Sequence, residues 1–206
     1  INDTHPSMVI PELIRLLGEK GIEFEEAVAI VTKTCAYTNH TILAEALEKW
    51  PMDFLRQVAP QLEPILRELD ARAKNVFPDP RLAIIDPKDV VHMAHMDIHY
   101  GFSVNGVAAL HTEILRKSEL KPFADAYPDK FNNKTNGITL RRWLEACNPR
   151  LAGLIDECLG QGWRTDPARL EGLLDYAGDG VVLRRLLEIK SANKAQLCRA
   201  LERRLG

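Results

Sequence analysis

The chain has 206 residues, 46% apolar and 27% charged, with 27 basic against 29 acidic side chains and a formal charge of −2. These are the values of a globular chain with a real core, and they exclude disordered, collagenous and low-complexity classes. The near-neutral balance argues against a general nucleic-acid binder, and the lack of any run of 18 apolar residues excludes a helical membrane span.

The dominant period is helical. Ile10, Leu13, Ile14 and Leu17 make one stripe, ended by Gly18 and Gly21, with Pro6 and Ser7 in its first turn and Thr4 as candidate cap. Ala27, Ile30, Val31 and Thr34 make a second. Residues 45–49 predict a short helix cut by Pro51, and Leu62, Ile65, Leu66, Leu69 and Ala73 a longer one that stops before Pro78. Residues 82–85, Leu-Ala-Ile-Ile, are the one candidate strand. Residues 89–103 and 107–117 predict consecutive helices, broken at the Asn105-Gly106 turn. Residues 128–139 are polar and turn-rich, and further helices follow over 151–159, 167–176 and 181–205. The expected class is mostly α, with a boundary between residues 1–139 and 140–206. Charge changes near that boundary: residues 1–140 carry 15 basic and 20 acidic groups, and residues 141–206 carry 12 and 9.

Cys35, Cys147, Cys158 and Cys198 are widely spaced in apolar stretches, so reduced core thiols of a cytoplasmic protein are expected. The chain starts at Ile1 with no methionine and no secretory signal, as a piece of a longer protein would.

Several runs have the residue types for chemistry. His92, His95 and His99 share one helix face at i, i+3 and i+7. His95 and His99 have the spacing of a two-histidine metal pair, although a hydrogen-bonded polar seam between helices is the plainer reading. Asn2-Asp3-Thr4-His5-Pro6 is either a capping segment or the lining of a cleft. Thr38-Asn39-His40-Thr41 is a run of hydrogen-bonding groups of the kind that polyol recognition needs, or a plain loop. Asn105-Gly106 and Asn136-Gly137 read as turns with a left-handed residue. Arg141-Arg142-Trp143 is either an anion clamp or, as the plainer reading, a first helical turn with Trp143 buried and the arginines solvated.

Read together, these runs resemble the α-glucan phosphorylases of glycogen, starch and maltodextrin. The resemblance is carried by Asn2-Asp3-Thr4-His5-Pro6, by residues 33–41 (Lys-Thr-Cys-Ala-Tyr-Thr-Asn-His-Thr) and by 45–51 (Glu-Ala-Leu-Glu-Lys-Trp-Pro). Further on it is carried by Met93-Ala94-His95, by Val104-Asn105-Gly106-Val107-Ala108 and by Lys130 to Thr139 running into Arg141-Arg142-Trp143-Leu144. The match is collinear over about residues 1–165 and looser beyond Asp166.

The resemblance implies a helical segment of a larger α/β two-domain glycosyltransferase, whose active site lies in the cleft between the domains. The family reaction moves the terminal glucosyl unit of an α-1,4-glucan to orthophosphate, giving glucose 1-phosphate. Pyridoxal 5′-phosphate, held as a Schiff base, relays the proton through its own phosphate. By the same resemblance, His40 and Asn136 contact the glucosyl unit, Asp3 and His5 line the pocket beside its anomeric carbon, Thr41 borders it, and Val107 stands at its far side. These are recognition roles, and no proton-transferring residue is expected in the segment. The family's cofactor lysine, phosphate clamp and glycine-rich segment lie beyond Gly206. Hence no cofactor or metal is expected on this segment, and the chain alone is expected to be inactive. Its parent is expected to be a cytoplasmic homodimer acting on glucan or maltodextrin, with no nucleic-acid or membrane partner. Leu140 stands where the family usually has proline, and Gly101-Phe102-Ser103 replaces a segment that often carries a polar residue. Two other readings are a self-contained helical interaction domain and a metal-binding domain built on His92, His95 and His99.

Overall fold

Residues 1–43 and 47–205 are described by a computed structural model, in which the chain forms two compact units, Ile1–Asn136 and Gly137–Gly206. In the first unit the apolar stripes of residues 9–34 fold as predicted into two packed helices, α1 (Val9–Glu19) and α2 (Phe24–Thr34). Gly21, at φ +81°, turns the chain between them. β1 (Tyr37–Thr38), β2 (Lys49–Pro51), α3 (Met52–Val58) and α4 (Glu63–Val76) follow. The remainder is β3 (Val90–His92), α5 (Met93–Tyr100), β4 (Val104–Gly106), α6 (Ala109–Ile114), α7 (Lys121–Ala126) and β5 (Phe131–Asn133).

Three of these strands form one parallel sheet in the order β1-β4-β5, pairing Tyr37 with Val104 and Val104 with Phe131. Asn2 adds a parallel bridge to Thr38. β2 and β3 pair antiparallel.

Two apolar clusters fill the unit. One joins Ile10, Ile14, Val31, Leu66, Leu69 and Met96. The other joins Tyr37, Ile98, Val104, Leu115, Phe123 and Phe131. Helix α5 belongs to both, through Met93 and Met96 on one side and Ala94 and Ile98 on the other. It is buried on nearly every face, which is why no amphipathic stripe marks it.

The second unit contains α8 (Pro149–Leu159), tight 3₁₀ turns over Gln161–Arg164 and Pro167–Tyr176, and α9 (Gly180–Leu205). Pro149 opens α8 behind an Asn148 cap, and Gly160 at φ +70° ends it. Ala152, Ile155 and fully buried Trp163 make its core, with Leu144, Leu151, Leu159 and Leu170 packed around them. The Trp163 indole N–H donates to Asp156 Oδ1 at 3.0 Å, and the Arg164 guanidinium bridges Glu145 and Asp156.

The mostly helical class holds, but several element assignments change. Of the helix predicted over 45–49, residues 45 and 46 lie outside the described residues and Lys49 begins β2. Residues 90–92 are strand because Val90 and Val91 pair with β2, so α5 starts only at Met93. Within 82–85, Ile85 alone bridges, to Val91, while Pro80–Leu82 form a 3₁₀ turn. Asn105-Gly106 is strand β4, with no left-handed residue. Gly106 is needed there because an added Cβ would meet Thr112 Oγ1 at 2.4 Å. Residues 115–119 widen into a π turn after α6, and the polar stretch 128–139 holds β5. Residues 167–176 wind as 3₁₀ rather than α. Helix α1 begins at Val9 behind Met8, which brings no capping group, and Thr4, the expected cap, donates its hydroxyl to Glu48. Trp143 is exposed, because its π turn (Arg141–Ala146) directs Leu144 to the core. All four thiols are free, but only Cys35 is buried; Cys147 and Cys198 are exposed and Cys158 is half-buried.

Candidate functional site

The parallel sheet explains why distant runs of sequence meet. In such sheets ligands sit outside the carboxyl ends of the strands. Asn39-His40-Thr41 leaves the carboxyl end of β1, Val107 that of β4, and the segment reaching Asn136 that of β5. Asp3 follows the Asn2 bridge beside β1. Five of the six residues expected to touch a glucosyl unit, all but His5, therefore leave one edge of one sheet.

Hydrogen bonds tie these segments together. Asp3 has a left-handed backbone at φ 52°, and its Oδ1 accepts the His40 backbone N–H at 3.0 Å. The His40 imidazole Nε2 lies 2.9 Å from Asn2 Oδ1. Buried Asn39 accepts the Thr41 N–H at 3.0 Å through Oδ1 and donates through Nδ2 to the Tyr37 hydroxyl. The Val107 carbonyl accepts the Asn136 N–H at 3.0 Å. Among the six candidate sugar contacts, the exposed ones at this edge are an imidazole and an amide, His40 and Asn136, which suit a polyhydroxylated ligand.

His5 is held differently. Its Nδ1 lies 3.1 Å from Glu48 Oε2, which also accepts the Thr4 hydroxyl. It borders a mainly apolar cavity of about 260 Å³ with Trp50, Phe54 and Met93. His111 is the residue that sequence reasoning missed. Its Nδ1 accepts the Val107 N–H at 3.1 Å, and its Nε2 lies 3.1 Å from Asn39 Oδ1. The only signal for it in sequence is a position four residues after Val107, on the helix that follows β4.

Behind this edge the loop bearing Asp3 and His5 is anchored to α5. Ser7 Oγ lies 2.8 Å from the Thr4 carbonyl and 2.6 Å from Asp97 Oδ2. One hydroxyl proton cannot serve two acceptors, so both contacts are satisfied when Asp97 is a neutral acid donating to Ser7. Two further observations agree. Asp97 Oδ1 is buried without a hydrogen-bond partner among the described residues, as an ionised carboxylate would not be. Burial also raises the Asp97 acid to about 7, against the opposing pull of the Ser7 bond and the Ile1 amino group.

The three histidines expected on one helix face are divided, since His92 ends β3 and only His95 and His99 lie on α5. His95 Nδ1 lies 2.6 Å from the Ala83 carbonyl, and burial pushes its imidazole down to about 3. His99 is bonded at both nitrogens, to the Tyr127 hydroxyl and the Leu82 carbonyl. His92 Nε2 faces Asp86 at 3.2 Å. They form a polar seam, and the metal reading lacks a ligand set because each ring is turned to a different partner.

The lysines do not suit a Schiff-base cofactor. Lys130 is the only one not exposed among the described residues, and its amine donates to the Ile98 and His99 carbonyls at the end of α5. Burial lowers it to about 8, and it lies over the Tyr127 ring, 4.1 Å from the centroid.

A family model described as carbohydrate phosphorylase matches residues 1–206. The chain is 62% identical over its whole length to maltodextrin phosphorylase of Streptococcus pneumoniae, covering 27% of that protein. It is 41% identical to the brain form of glycogen phosphorylase of Bos taurus, with all of this chain and 26% of that protein aligned. Against the muscle form of Oryctolagus cuniculus the identity is 42%, over 98% of this chain and 26% of that protein. The chain thus spans about a quarter of the length of the curated relatives it matches.

Proposed function

This chain belongs to the carbohydrate phosphorylase family, and from that premise we propose that it is the sugar-recognition part of an α-1,4-glucan phosphorylase. The whole enzyme breaks the terminal glycosidic bond of a glucan or maltodextrin and joins the anomeric carbon to an orthophosphate oxygen, releasing glucose 1-phosphate. Here His40 and Asn136 bind the hydroxyls of the glucosyl unit, Asp3 fixes the His40 backbone, Val107 closes the far side, and Thr41 and His5 border the pocket. Their work is binding and orientation, which hold the sugar for a bond cleavage carried out elsewhere. Pyridoxal 5′-phosphate and the groups that clamp orthophosphate belong to the rest of the longer protein. Residues 1–139 would then be the cleft-lining part of the first domain and residues 140–206 the start of the second. The parent acts as a cytoplasmic homodimer.

The observation that carries this reading is the hydrogen-bonded array of Asp3, His40, Val107 and Asn136 at the carboxyl ends of the parallel strands. The test is phosphorolysis of maltoheptaose by the full-length protein, followed as glucose 1-phosphate released. Activity is expected for the wild type, with a loss of at least tenfold in kcat/KM for His40→Ala. The 206-residue chain alone is expected to release none. A full-length protein inactive on maltoheptaose and glycogen alike would overturn the proposal.

A further inference from the structure

We propose that His111 is a positioning residue of the glucosyl site, a neutral imidazole protonated only at Nε2 that locks the Asn39–Thr41 segment to the Val107–Asn136 pair. The inference rests on the sugar-recognition reading above.

The protonation state follows from its neighbours. The Val107 N–H can only donate, so His111 Nδ1, at 3.1 Å, accepts from it and carries no proton. On the other side the orientation of the Asn39 amide is already set, because its Nδ2 donates to the Tyr37 hydroxyl and its Oδ1 accepts from the Thr41 N–H. That oxygen faces His111 Nε2 at 3.1 Å, so Nε2 donates. A doubly protonated ring would set one N–H against the Val107 N–H.

The ring also stands at a junction. Val107 passes the constraint to Asn136 through its carbonyl, and Asn39 passes it to Thr41. Asp3 then holds the intervening His40 N–H. A single imidazole therefore links the ends of β1, β4 and β5. Its own helix is fixed next to the sheet, since Thr112 donates to Asn133 Oδ1 at 2.9 Å and abuts Gly106. Without His111, the strand pairing and the Val107–Asn136 bond remain, but the Asn39 amide loses its tie to the Val107 N–H and the two loop segments are no longer held to each other by a side chain.

The test uses the full-length protein with maltoheptaose and orthophosphate, and reads the two KM values separately from kcat. His111→Ala leaves a half-buried N–H and an amide oxygen short of a partner, a loss worth roughly tenfold to a hundredfold. The expected result is a drop of about that size in kcat/KM for maltoheptaose, with the KM for orthophosphate within about twofold. His111→Asn keeps an acceptor for Val107 and His111→Gln keeps a donor for Asn39, so each should recover part of the loss. If the alanine variant does not fold, these two decide the matter. An active wild type whose variants keep the maltoheptaose kcat/KM, or lose on both substrates equally, overturns the positioning role alone. A wild type that releases no glucose 1-phosphate overturns the functional reading, and the positioning role with it.

Discussion

Replacing Asp97 by asparagine should stabilise the chain, and by more as the pH rises. The carboxyl group is fully buried, its acid is raised from 3.8 to about 7, and the main cause is desolvation. Among the groups around it, Glu48 adds to the rise, while the Ile1 amino group and Ser7 oppose it; Cys35 and Tyr37 also feel its charge. Between pH 3.8 and about 7 the folded chain keeps a proton that the unfolded chain has released. Stability therefore falls with rising pH across that window and levels off above it. The rise from 3.8 to about 7 amounts to a ceiling of roughly 4 kcal/mol above pH 7. At pH 5 the same relation gives roughly 1.5 kcal/mol. Asp97→Asn removes the titration, and the introduced amide offers an N–H to Ser7 Oγ in place of the acid proton. Urea unfolding followed by far-UV circular dichroism at pH 5 and pH 8 should show an advantage for the variant that grows by about 2.5 kcal/mol between them. An advantage that stays constant or shrinks with pH would refute the neutral-acid assignment.

Other consequences are open to direct measurement. Gly106→Ala brings a methyl to 2.4 Å from Thr112 Oγ1 and 2.9 Å from Thr112 Cα, and should cost about 1–3 kcal/mol in urea unfolding; unchanged stability would show that β4 and α6 yield easily. Asp70→Ala removes the acceptor of two buried backbone N–H groups, those of Ile84 and Ile85, and the partner of Lys74. A loss of about 2–4 kcal/mol is expected, whereas a loss below about 1 kcal/mol would mean that the 84–85 segment finds other acceptors. Helix α9 exposes Leu187, Leu197 and Leu205, so sedimentation velocity of the 206-residue chain should reveal self-association as concentration rises. A strict monomer throughout would count against it.

The sequence disclosed what repeats and what is distinctive. The stripes of α1, α2, α4 and α8 were legible because each has one apolar face against one core. The short parallel strands were not, since two or three residues are too few for alternation, and β4 and β5 were disguised by Asn and Gly. Helix α5 was legible as helical but began too early, because burial on nearly all sides erases the stripe that would have fixed its start. At the candidate site, Asp3, His40, Val107 and Asn136 are named by motif resemblance. Their common origin at one sheet edge was invisible without the strand order. His111 and Asp97 carry no sequence signal of this kind, since what sets them apart is hydrogen bonding to neighbours far away in sequence.

Helix α5 has a further consequence for how the first unit comes apart. Five of its eight residues are divided between the two apolar clusters, Met93, Met96 and Tyr100 in one and Ala94 and Ile98 in the other, so unfolding of this helix strips both clusters at once. The two should melt together as one cooperative block, with the backbone amides of α5 among the slowest in the molecule to exchange with deuterium. The candidate-site loops are tied to that block by the Ser7–Asp97 contact and, through β4, by Lys130, whose amine donates to the Ile98 and His99 carbonyls. They therefore borrow the rigidity of a spindle that lies out of reach of any ligand they bind.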